Sequence, residues 1–270
     1  MTHEPVSRVR KEYLQKIQRR KILTNAARIL ILVLFFTLWE ILTARGVLDP
    51  FIFSSPSRVL KTLSNLSENG ELLHHILTSL IETVAGFSAG TAAGILIAVI
   101  LWWSPFLSDV LEPHLVVLNA LPKTALGPIF IVCMGAGMGS IIAMTLAISL
   151  IVTILNVLHG FLQTDMEKVC LLRTFGAGRV QIFTKLVLPA NLSTIVNVMK
   201  INIGLSWVGV ITGEFLVSRA GLGYLIVYGS QVFKMDLVMS SVLILAVFAL
   251  IMHLGIVLLE QFVRRHFGII

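Results

Sequence analysis

Residues 140–158 form a stretch of 19 residues without one charged side chain. A bilayer core about 30 Å thick is crossed by roughly 20 apolar residues in an α-helix, because a helix satisfies its own backbone inside hydrocarbon. Similar stretches recur, and the chain reads as an all-α, polytopic helical membrane protein. Six spans are expected, at 29–44, 76–103, 106–134, 140–158, 192–215 and 237–259. Composition agrees: of 270 residues 56% are hydrophobic and 13% charged, against about 25% charged in a soluble domain.

The net charge of +7 does not mark a nucleic-acid partner, because its distribution follows the membrane. Eight of the 21 Lys and Arg residues precede residue 29, and Arg264 and Arg265 close the chain. Residues 1–28 are therefore expected as a basic cytoplasmic lead touching anionic lipid head groups. No cleavable signal is apparent, because the polar lead is long and the first apolar run lacks a small-residue cleavage site. Cys133 and Cys170 have neither metal nor redox spacing and read as small apolar fillers.

Between the fourth and fifth spans lies a polar island, residues 163–189, QTDMEKVCLLRTFGAGRVQIFTKLVLP. Met166, Val169, Cys170 and Phe175 fall near helical spacing, as do Val180, Phe183 and Leu186. Gly176, Ala177 and Gly178 separate the two halves, and Pro189 opens the next apolar stretch. The pattern predicts helix, glycine turn, helix, with Lys168, Arg173, Arg179 and Lys185 making it basic. Such a stretch suits docking on a partner more than chemistry.

Elsewhere, Gly86, Gly90 and Gly94 share one face of the second span and predict close approach of another helix. Glu82, on an early turn of that span, is expected to have a buried partner in preference to a proton-carrying role. Pro122 and Pro128 break the third span around Lys123. Residues 121–128 either border a translocation path or form a kink whose lysine snorkels. Lys200 and Glu214 are the charges in or near the fifth span, either lining a path or pairing structurally. A short surface helix is expected over 58–66, with Val59, Leu60, Leu63 and Leu66 on one side.

Six spans place both termini on one side. With that side cytoplasmic, the lead, the island and the tail bring 8, 4 and 2 Lys and Arg inward, and Arg45, Arg58, Lys61, Arg219 and Lys234 face out. This bias puts the island in the cytoplasm. No G-x-x-x-x-G-K-[ST] loop, H-E-x-x-H or G-x-S-x-G is present, so no nucleotide, metal or cofactor site and no catalytic centre is expected.

Leu172-Arg173-Thr174-Phe175-Gly176-Ala177, with Phe183 and Leu188-Pro189 following, resembles the cytoplasmic EAA loop of binding-protein-dependent ABC importer permeases. Residues 121–128, LPKTALGP, and 221–224, GLGY, are similar to stretches in the branch importing nitrate, sulfonates, taurine, bicarbonate and thiamine precursors. The family's glutamate falls at Cys170 and its alanines at Leu171 and Leu172. The resemblance implies a type I importer permease fold over 72–265, following a first helix and external connection at 29–71 and preceding a tail at 266–270. It further implies a second permease copy as homodimer partner, an extracytoplasmic solute-binding protein, and a separate cytoplasmic ATPase subunit that receives the island. Arg173, Gly176, Ala177, Arg179, Phe183 and Pro189 would form that coupling loop in a bacterial plasma membrane, with the chain itself no enzyme. The expected cargo is a small solute, a sulfonate- or nitrate-like anion or a thiamine-precursor-like molecule. A stand-alone secondary transporter or channel is the alternative; it would need midplane coupling charges or an inverted repeat.

Overall fold

The computed structural model describes residues 8–267, and every regular element among them is helical. Residues 1–7 of the expected lead and 268–270 of the expected tail lie outside the described residues. The first helix, α1 (Arg8–Ala44), does not begin at the apolar boundary. It runs unbroken through residues 8–28 into the span, and its 37 residues make it about 55 Å long. Two short helices follow, α2 (Pro50–Phe53) and α3 (Pro56–Glu68), the latter containing the expected surface helix. Each begins with a proline and a side-chain cap: Asp49 Oδ1 accepts from Phe51 N at 2.8 Å, and Ser55 Oγ from Arg58 N at 3.4 Å.

The bundle proper comprises α4 (Glu71–Trp103), α5 (Pro105–Ala120), α6 (Gly127–Met134) and α7 (Met138–Leu162). The island supplies α8 (Met166–Thr174), α9 (Arg179–Ile182) and α10 (Leu188–Ala190), with a π-helical stretch, Phe183–Val187, between the last two. Then come α11 (Leu192–Val217), α12 (Leu222–Gln231) and α13 (Met235–Phe267). Among the described residues five helices are long and apolar enough to cross a membrane, six if one bent pair is counted as a single span. That pair is the expected broken span: α5 and Lys123–Met134 meet at 90°. Leu121 and Pro122, unable to continue the helix, form the corner.

α4, α7 and α11 form the centre. The glycine face of α4 lies on α7, where a Cβ at Gly90 would sit 1.9 Å from Ser149 Oγ. Gly86 and Gly94 meet Thr145 and Thr153 in the same way, so the two helices run parallel in close contact. Antiparallel α11 closes on the other side of α7, with Gly209 against the Thr145 backbone and Gly213 against Ile141. The hydroxyls in this seam are not orphaned: Thr145, Ser149 and Thr153 donate to carbonyls one turn back. Asn202 stitches all three helices together, donating to Thr91 Oγ1 at 3.0 Å and Thr153 Oγ1 at 2.6 Å.

The bundle has two distinct ends. At one, α3 is strapped to α13 by Arg58 and Asp236 (2.9 Å), while Glu40 of α1 accepts from Ser57 N and Oγ at 3.0 and 2.8 Å. At the other, the island packs on the C-terminal ends of α4 and α7.

Candidate coupling knob and polar groove

The island is a knob with a buried root and an exposed crown. Asp165 opens α8, its Oδ1 accepting from Glu167 N at 3.0 Å. That N–H, with Lys168 beside it, holds the Asp165 carboxyl below the usual carboxylate range. The cap is therefore present at neutral pH and lost only as pH falls through that lowered value. Gly176, at φ +79°, turns the chain after α8, and its N–H donates to Arg173 O while Ala177 N donates to Leu172 O. This is the predicted helix, glycine turn, helix.

Val169, Ile182, Phe183 and Val187 root the knob in an apolar cluster with Leu101, Ile154 and Phe161. The Phe183 ring lies 5.0 Å from Trp102 and 5.6 Å from Phe161, so Phe183 faces inward. Arg179 also serves its own chain. Its guanidinium lies over Trp102 and Trp103, 5.5 and 5.8 Å from the ring centres, and donates to Trp102 O at 3.2 Å. Pro189 is half-buried in α10. Asn191 ties the two limbs, donating to Thr164 Oγ1 at 3.0 Å and Val187 O at 2.9 Å. What remains outside is a patch of Met166, Leu171, Phe175 and Val180, with Phe175 79% exposed beside exposed Gly176 and Arg173. Around Gly176 a β-carbon would meet nothing within 4 Å.

A second feature lies between α5 and α7. Glu112, Val116, Asn119, Leu155, Asn156 and His159 line a groove of about 350 Å³. Sequence reasoning singled out none of these. The signal was present: Glu112 and Asn119 are seven residues apart, and Asn156 and His159 three apart, in otherwise apolar helices. Lys123 adjoins the groove through Asn119, donating to its backbone oxygen at 2.8 Å and its Oδ1 at 3.1 Å. Pro122, next to it, is exposed at the corner.

The other expected path residues have partners within the chain. Lys200 Nζ is 2.5 Å from Glu260 Oε2 at the α11–α13 contact. Glu214 is 2% exposed and accepts from Ser79 Oγ and Gly223 N, so it faces no open path in this conformation. Glu82, expected to have a buried partner, is 2% exposed, and its Oε2 has no hydrogen-bond partner. In the 221–224 stretch Gly221 precedes α12, and Leu222, Gly223 and Tyr224 form its first turn. Among the described residues no group of three or more His, Cys, Asp or Glu is placed to hold a metal ion.

Comparison with known proteins places this arrangement. The family described as binding-protein-dependent transport system inner membrane component matches residues 90–267. A probable ABC transporter permease protein of Haemophilus influenzae is 29% identical over 228 residues, covering 84% of this chain and 92% of that protein. The formylaminopyrimidine transport permease protein ThiX of Halalkalibacterium halodurans is 28% identical over 195 residues, 72% of this chain and 77% of its own. The solved MetNI methionine ABC transporter, in an inward-facing conformation, shares the fold: TM-score 0.63 at 17% identity, covering 74% of this chain and 97% of that one. With the matched region spanning more than half its length, the chain belongs to the family of binding-protein-dependent transport system inner membrane components and is a membrane-spanning permease subunit of an ABC importer.

Proposed function

We propose that the knob is the docking element through which this permease receives the motion of a separate cytoplasmic ATPase subunit. The observation that carries the reading is a rigidly rooted knob whose apolar crown, Phe175 above all, stands in solvent at one end of a membrane bundle. Exposed apolar patches rimmed by charge mark interaction sites. Arg173, with no ion pair among the described residues, is free to meet an acidic group of the partner. The ATPase activity then belongs to the partner, and this chain is no enzyme. With the knob inside, the charge count of 14 Lys and Arg against 5 supports both termini in the cytoplasm.

A second copy covers the groove side. Glu112, Asn119, Asn156 and His159 are exposed on helices that cross the membrane, and such side chains do not face lipid stably. A homodimer joined along this side encloses them in a central path. A carboxylate, two carboxamides and an imidazole suit a hydrogen-bonding, uncharged or cationic heterocycle better than nitrate or a sulfonate. The formylaminopyrimidine relative points the same way. An extracytoplasmic binding protein delivers the solute, and the lipid of a bacterial plasma membrane surrounds the dimer.

The test is co-purification of the ATPase subunit with Phe175→Asp and Gly176→Trp variants. Both are expected to insert in the membrane as the parent does and to lose the ATPase subunit and uptake. Undiminished co-purification and uptake in both would refute the docking role. A binding screen on the partner solute-binding protein, with aminopyrimidines, sulfonates and nitrate, tests the solute class; a sulfonate or nitrate as sole ligand would overturn that part.

A further inference from the structure

The knob has a flank as well as a crown, and the docking reading leaves that flank unused. Between α8, α9 and the junction of α4 with α5 lies a cleft of about 170 Å³. Arg173 and Arg179 both line it, together with Trp102, Pro105, Thr164 and Met166, and no carboxylate does. Neither arginine belongs to an ion pair among the described residues. Two guanidinium groups on one small cleft, with no anion between them, repel each other and point their spare N–H donors at water. An anion completes such a site, because charge-assisted hydrogen bonds to a forked guanidinium are among the strong ones.

The two arginines are placed differently. Arg179 is held ready: its guanidinium stacks over Trp102 and Trp103 and donates to Trp102 O at 3.2 Å, which leaves the rest of its fork open. Met166, Val169 and Arg173 share one face of α8 and turn it to the cleft. Arg173 carries five N–H donors, enough to serve the cleft and an acidic group of the ATPase subunit together.

The position of the cleft selects the anion. α4 ends at Trp102 and Trp103, a residue type that gathers where membrane meets water. Around the mouth, Phe106, Leu162 and Met166 are 78%, 49% and 66% exposed. A hydrated free anion gains nothing from that apolar rim, whereas an amphiphile buries it. The cleft is also smaller than the about 300–1,000 Å³ of sites that enclose a whole organic ligand, so it takes a head group and leaves the remainder outside.

We infer that this cleft binds the phosphate head group of an anionic phospholipid. Arg173 and Arg179 donate to the phosphate oxygens, and Phe106, Leu162 and Met166 meet the glycerol and upper acyl carbons. The bound head ties the root of the knob to the membrane surface at the end of α4.

The experiment is native mass spectrometry of the complete importer, permease with its ATPase subunit, titrated with phosphatidylglycerol, phosphatidylcholine or inorganic phosphate. The wild type is expected to retain phosphatidylglycerol at least about fivefold more tightly than phosphatidylcholine, with millimolar inorganic phosphate unable to displace it. Arg173→Gln and Arg179→Gln are each expected to weaken retention about tenfold, the scale of a hydrogen bond to a charged group. The Arg173 side chain makes no hydrogen bond or ion pair among the described residues, so its loss leaves the fold intact, and Arg173→Lys, which keeps the charge, should recover part of the retention. Arg19→Gln with Arg20→Gln, in the exposed lead, should change it by less than about twofold. Equal retention by the wild type and both cleft variants, or a loss confined to the lead variant, would overturn the inference. Displacement by inorganic phosphate would assign the site to a free anion, and no retention by the complete importer would show the cleft filled by the ATPase subunit; either result also overturns it. Lipid retention is read separately from ATPase co-purification and from the solute screen, so a failure here leaves the docking reading standing.

Discussion

Gly90 sits where α4 comes closest to α7, and its environment is unforgiving. A β-carbon there meets Ser149 Oγ at 1.9 Å and the Leu146 carbonyl at 3.2 Å. The hydroxyl can rotate away; the backbone cannot. Gly90→Val should therefore destabilise the subunit by about 1–3 kcal/mol or more, the range for overpacked interiors. Ser149→Gly should restore part of that loss, read as the melting temperature of the detergent-solubilised protein. An unchanged melting temperature in Gly90→Val would contradict the packing. The glycine stripe was legible in the sequence because its spacing puts three glycines on one face. Its partner was not legible: nothing in Thr145, Ser149 and Thr153 marks them as the surface that fills the stripe. Glu82 shows the same limit. Its burial was readable, but what would surround its carboxyl group depends on how the helices cross, which no local pattern encodes.

Among the elements, the knob was the most legible, since glycine at a left-handed turn and two short apolar periodicities are local signals. The break at Pro122 and Pro128 was equally local, although its 90° angle was not. α12 was missed because ten residues are too few to read as a span and its glycine-rich start resembles a loop. The inward turn of Phe183 and the stacking of Arg179 on Trp102 and Trp103 also escaped, because both depend on α4 ending beneath the knob. Asn191 tests whether the knob moves as one body. It is buried and bridges Thr164 and Val187, so Asn191→Ala leaves groups unsatisfied at about 1–3 kcal/mol. Hydrogen exchange across residues 163–189 should quicken, with weaker ATPase co-purification. Exchange unchanged from the parent would show that the two limbs are held without it.

At the scale of the whole molecule, the single chain is an incomplete object. Its groove carries polar side chains that need water or protein, and its knob carries apolar side chains that need a partner. The proposed assembly, two copies of the chain with an ATPase subunit beneath each knob, would meet both needs. Asn156→Leu, in the groove but outside the helix contacts, should leave insertion and ATPase binding intact while reducing uptake. Normal uptake in that variant would move the path elsewhere. The most direct measurement uses the chain's own chemistry. Cys170 is exposed on α8 of the knob, and Cys133 is exposed on α6, outside it. A photoactivatable, cysteine-reactive cross-linker is attached at Cys170 in a Cys133→Ser background and at Cys133 in a Cys170→Ser background, and the captured subunit is identified. The account predicts that the Cys170 probe joins the ATPase subunit and the Cys133 probe does not; capture of the ATPase subunit from Cys133 but not from Cys170 would contradict it.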